Sequence, residues 1–173
     1  MTPNEFFHAV YKGDHPGVLR GLREGLNPND TNREGSPALF FAVEGGHELV
    51  LALLLEAGAN PLALDHRMRS AVHIAAYWNR ISILDELELV GSPTDVQALG
   101  DHLATPMHYA AQRGHREAVL WLLDRGANPD RCLYDGQKPI DLAQKNGHHA
   151  VVELLTRWSL QTSGAIPAKV RSI

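Results

Sequence analysis

The sequence predicts an all-α solenoid of stacked helix–turn–helix units joined by extended β-turn fingers. Three observations carry this reading. The chain repeats itself five times in one register, with Asn4, Pro37, Ser70, Thr105 and Lys138 equivalent, at spacings of 33, 33, 35 and 33 residues. Helix-stopping glycines recur at fixed offsets: Gly46, Gly114 and Gly147 after the first helix of a unit, and Gly25, Gly58, Gly91 and Gly126 after the second. Alanines recur where units must meet, at Ala42, Ala75, Ala76, Ala110, Ala111 and Ala143. One helix pair cannot bury both its faces, so such units stack, each on its neighbours. A larger side chain at those alanines would overpack the seam by roughly 1–3 kcal/mol.

The units divide the chain at 1–31, 32–64, 65–99, 100–132 and 133–157. The first is degenerate (NEFFHAVYKGDHPGVLRGLREGLNPN) and sets Asp14, His15, Arg20 and Arg23 on its second helix, which suits a terminal unit with one solvated face. The second opens its helix with Pro37, a residue suited to a helix start. Its apolar run LVLALLL is far too short to cross a bilayer.

The third unit (MRSAVHIAAYWNRISILDELELVG) is the least regular. Asn79 takes the slot of the helix-stopping glycine, and Asn is the next-best residue in left-handed backbone. Glu86 and Glu88 stand where sister units have Leu53, Leu55 and Trp121. Either that helix rotates or its carboxylates reach solvent, because burying them without partners is too costly. Two extra residues within Ser92-Pro93-Thr94 should make the connecting loop bulge. The fourth unit regains the pattern, with Val119, Leu122 and Leu123 at helical spacing. The fifth closes the array. After Arg157 the helical period fades, so 158–173 is expected to be a partly mobile tail, with Trp158 folded back over the last unit.

These units resemble the ankyrin repeat, whose unit of about 33 residues carries T-P-L-H-x-A, then Gly-His, then a Leu-rich helix ending in Gly-Ala. Thr105-Pro106-Met107-His108-Tyr109-Ala110 is the nearest match, and the resemblance covers residues 4–157. It implies protein binding through a concave face built from fingertips and first helices. It also implies scaffold roles for five histidines. His73 and His108 belong to the T-P-L-H element, which bonds backbone between neighbouring repeats; His47, His115 and His148 belong to Gly-His.

Little else in the chain points to chemistry. A net charge of −4 with mixed signs argues against a nucleic-acid footprint, which needs a broad basic face. Cys132 is the sole cysteine, so no internal disulfide forms, and nothing around it suggests a nucleophile. His148-His149 with Glu153 matches no metal-binding pattern, and no phosphate loop or G-x-S-x-G elbow is present. No catalytic residue, metal or cofactor is expected. The rival reading, a metal-dependent hydrolase, would use His8, His15, His66 and His102. No signal peptide or membrane span is recognisable, so a soluble, cytoplasmic protein, monomeric when free, is the expectation.

One departure from the repeat stands out. Where the fourth unit has Gln112-Arg113, the third has Tyr77-Trp78, at two inner-helix positions that face the groove. The finger of the same unit carries His66, Arg67 and Arg69. Trp, Tyr and Arg grouped at the centre of a surface have the composition of a binding hot spot. The competing reading packs these rings inside the irregular unit. The full candidate surface adds Arg33, Glu44, Asp101, His102, Gln112, Arg113, Tyr134 and Asp135. The partner expected is another protein with an acidic patch beside an apolar pocket, and the chain would act on it as a small inhibitor, an immunity-type or regulatory protein, or alternatively as an adaptor.

Overall fold

A computed structural model describes residues 1–91 and 103–162. Among these residues it holds ten α-helices and no strand. They pair as α1 (Pro3–Lys12) with α2 (His15–Arg23), α3 (Ala38–Gly45) with α4 (Glu48–Glu56), α5 (Ala71–Tyr77) with α6 (Ile81–Leu89), α7 (Pro106–Arg113) with α8 (Arg116–Asp124), and α9 (Pro139–Lys145) with α10 (His149–Thr162). The odd-numbered helices form an inner row, each packed on the next; the even-numbered helices form an outer row. The solenoid is therefore as the repeat predicts.

Local chemistry starts each helix. Thr2 and Glu5 close a reciprocal box at α1, with Glu5 N–H donating to Thr2 Oγ1 (3.3 Å) and Thr2 N–H to Glu5 Oε2 (2.7 Å). Asp14 caps α2 by accepting from Gly17 N–H at 3.1 Å. Pro106 and Pro139 occupy the first turns of α7 and α9, where no intrahelical donor is needed. The helices stop as expected: Gly46 and Gly114 lie in left-handed backbone at φ 75°, and Asn79 at φ 55° does the same work in unit three.

Burial repeats with the sequence. In the outer row the buried sets are Gly17, Val18 and Gly21; then Val50, Leu51 and Leu54; then Ile83, Leu84 and Leu87; then Ala118, Val119 and Leu122, to which α8 adds Trp121 and Leu123. The sets are equivalent positions, so α6 has not rotated. Only Glu88 resolves the conflict by reaching outward. Glu88 is exposed and pairs with Arg125 (2.8 Å), which also meets Asp85 at 3.1 Å. Trp121 buries its ring, donates Nε1–H to Asp85 (2.7 Å) and carries the Arg125 guanidinium 3.9 Å above it. Glu86 stays half-buried, and burial first, then the Glu48 charge, push its carboxyl above the ordinary value of 4.5.

One expectation is corrected, and one feature of the fingers goes beyond the sequence reading. The helical period does not fade at Arg157: α10 runs on to Thr162 and brings Trp158 half-buried against the core, because the indole still finds an apolar seat. The fingers do not depend on glycine at their tips. Gly35 and Gly136 adopt positive φ, but the equivalent Met68 (φ 59°) and Leu103 (φ 60°) adopt it too. In unit three the turn is held around Asp65, whose Oδ1 accepts from Arg67 N–H and Arg69 N–H, both at 2.9 Å. The Ser92-Pro93-Thr94 insertion and residues 163–173 lie outside the described residues, as do Asp101 and His102.

Candidate docking cleft

Two histidine clamps tie the inner row together. His73 is fully buried; its Nδ1 accepts from Ser70 N–H (3.1 Å) and its Nε2–H donates to the Ala104 carbonyl (3.1 Å). His108 does the same with Thr105 N–H (3.1 Å) and the Gln137 carbonyl (3.4 Å). A second ladder joins each outer helix start to the preceding inner helix. His47, His115 and His148 donate through Nε2–H to the carbonyls of Tyr11 (2.9 Å), Tyr77 (3.0 Å) and Gln112 (3.0 Å). Unit three lacks this histidine, and Arg80 replaces it, donating through Nε (3.2 Å) and an η nitrogen (2.8 Å) to the Glu44 carbonyl. Asn79, beside it, accepts from Ala118 N–H of the next unit at 3.2 Å.

These clamps fix the end of each inner helix, and with it the residue that faces the hollow. Glu44, Tyr77 and Gln112 are equivalent and follow one another along the row. Between them lies a cleft of about 480 Å³ lined by Glu44, Arg67, Arg69, Tyr77, Trp78 and Gln112, with Ile74, Tyr109 and Leu142 at its base. Trp78 is 37 % exposed, so it is not sealed between layers. Its ring meets Tyr77 edge to face, centroids 5.3 Å apart, and Tyr77 meets Tyr109 the same way at 6.1 Å. The Arg113 guanidinium rests 4.8 Å above the Tyr77 ring and 5.9 Å from that of Trp78. Among the described residues Arg113 has no carboxylate within ion-pair range.

Other predicted residues fall elsewhere or serve the scaffold. Arg69 pairs with buried Asp65 (Nε 2.8 Å, an η nitrogen 2.7 Å), so its charge is already matched. His66 is exposed, but its ring lies against Gly35 of the preceding finger, where any Cβ would overlap it. Arg33 lines a separate cleft with Phe7 and Asn4. Tyr134 is 69 % exposed on the last described finger, outside the cleft lining, and Asp135 accepts from Gln137 in its own turn. Of the rival hydrolase's histidines, His8 borders the cleft between α1 and α2, His15 a different one near Gly46, and His66 a finger. They do not converge.

The sequence missed Ile74, Tyr109 and Leu142. A signal for them was present: each lies three residues before the groove position of its unit, hence on the same helix face. The Arg113–Tyr77 stack had no signal, because it joins neighbouring units at a distance set only by their packing.

An inner row and its fingers lining an aromatic cleft, held by side-chain-to-carbonyl clamps, define a helical-repeat scaffold. The chain belongs to the ankyrin-repeat family: the family model for ankyrin repeats (3 copies) matches residues 6–92 and 87–162. It is 32% identical over 155 residues to the tyrosine-protein kinase HTK16 of Hydra vulgaris, covering 87% of this chain and 20% of that protein. It is 34% identical over 109 residues to the B-cell lymphoma 3 protein homolog of Mus musculus, covering 61% of this chain and 24% of that protein. Cyclin-dependent kinase inhibitor 2A of Monodelphis domestica is 32% identical over 146 residues, covering 83% of this chain and 84% of the inhibitor. The chain thus spans about a fifth to a quarter of the first two relatives and most of the third. Ankyrin repeats are protein-interaction modules, and among the described residues no helix is long and apolar enough to cross a membrane.

Proposed function

We propose that this chain is a non-catalytic regulatory module, inhibitor-like in its action, that docks a partner protein in the cleft between Glu44 and Gln112. The carrying observation is the cation stacked on its aromatic wall. Arg113 rests on Tyr77 and Trp78 with no carboxylate of its own among the described residues, beside exposed aromatic surface. Such a surface favours a partner presenting acidic groups next to apolar ones. Similarity to a cyclin-dependent kinase inhibitor over most of that protein's length supports action by occupying a partner rather than by catalysis.

The test is affinity capture with the native chain, followed by titration of the purified partner. Replacing Trp78→Ala together with Arg67→Ala should weaken binding at least tenfold, the loss of about 1.4 kcal/mol or more expected at a hot spot. The helical circular-dichroism signal should stay unchanged. Binding that survives the double substitution would rule out the cleft, and binding lost together with helicity would assign the rings to packing.

A further inference from the structure

Resting on the cleft as the docking surface, we infer a more specific occupant: a projecting acidic segment of the partner, a loop or tail. It lays one aliphatic or aromatic side chain on the base formed by Ile74 and Tyr109 and one carboxylate on Arg113. Its acidic end faces α7 rather than α3.

Shape is the first ground. The base is recessed, with Ile74, Ala104, His108 and Leu142 buried, while Trp78, Arg67 and Gln112 are exposed around it. Trp78 stands edge-on to Tyr77 as a wall and does not protrude as a knob. The sequence alone places the apolar pocket on the partner; a recessed base on this chain reverses the fit, so the partner supplies the projection. An open cleft of about 480 Å³ has room for a few groups, which a flat protein face would not fill.

Charge is the second ground. Arg69 is matched by Asp65, whereas Arg113 lays its flat face toward the rings and leaves its N–H edges for a ligand. A planar fork of donors fits a carboxylate, and a bond between two charged groups is shorter and stronger than a neutral one.

Direction follows from the repeat. Glu44 and Gln112 occupy the same position two units apart, with Tyr77 between them, and Arg113 reaches back from the end of α7 to lie over the Tyr77 ring. A carboxylate approaching the α3 end meets Glu44 and is repelled. At the α7 end it meets Arg113.

The experiment selects short random peptides displayed on phage against the full chain, with counter-selection on Arg113→Gln. Enriched peptides should carry Asp or Glu within a few positions of Leu, Phe or Trp. A synthetic copy should bind Arg113→Gln about tenfold more weakly and shift the indole N–H resonance of Trp78. Its affinity for Glu44→Lys should not fall. Neutral or basic winners, or winners that bind Arg113→Gln equally well, overturn the acidic segment; if they still need Trp78, the docking cleft itself stands. Failure to enrich any Trp78-dependent peptide also overturns the inference, while capture of a folded partner decides the cleft separately. Arg113 is exposed, so the substitution spares the core, and circular dichroism checks this directly.

Discussion

At the scale of single residues, the chain shows how one physical task can be met by different chemistry. The slot of Gly-His in unit three holds Asn79-Arg80, which by pattern alone reads as a lost clamp. Arg80 instead reaches the Glu44 carbonyl with two donors, and Asn79 supplies both the left-handed backbone and a cap for the following unit. Arg80→Ala should therefore cost about 1.5 kcal/mol in urea unfolding, the low end for a charged donor, at a partly solvated site. Arg80→His should recover most of that loss. Equal midpoints for the native chain and the alanine variant would show the clamp to be idle. The substitution was hidden from sequence reading because arginine and histidine differ in length and charge; the shared property is an N–H at the right reach. The ion pair of Arg69 was hidden for a related reason. Its neighbours in sequence do not reveal that Asp65 is buried beneath it and matches its charge.

Elements were more legible than residues. Five helix pairs, their stops and their buried faces follow from period and punctuation, because 3.6-residue spacing and left-handed glycine slots are local properties. Deviations arise where tertiary contacts decide. α10 continues past Arg157 because Trp158 finds apolar neighbours, and Met68 is held at positive φ by the Asp65 turn. The outer helices α4 and α6 are neighbours in their row, and the charge of Glu48 on the one adds to the burial of Glu86 on the other. A carboxyl held above its ordinary value binds its proton more readily in the folded chain. Ionised Glu86 therefore costs stability at neutral pH, and the cost disappears as pH falls through the raised value and below 4.5. Glu86→Gln should raise the urea midpoint at neutral pH, with the gain shrinking across that window and absent beneath it. A gain that does not change with pH would assign it to packing and not to charge.

For the whole molecule, stability is the sum of intrinsic unit terms and the seams between neighbours, so the ends matter as much as the middle. A chain stopped at Arg157 loses Trp158 from the terminal core and leaves the outer face of unit five less covered. Its urea midpoint should fall by the equivalent of about 1–2 kcal/mol, the scale of a half-buried aromatic; an unchanged midpoint would make the last turns of α10 ornamental. The stacking that sets these seams also separates two kinds of duty. Every rung of the second ladder lands on main-chain oxygen, at Tyr11, Glu44, Tyr77 and Gln112. Three of them, Glu44, Tyr77 and Gln112, also line the cleft. Nature can therefore rewrite the recognition alphabet at those sites while the girders continue to grip atoms that every amino acid possesses, and new specificities can arise there without renegotiating the architecture.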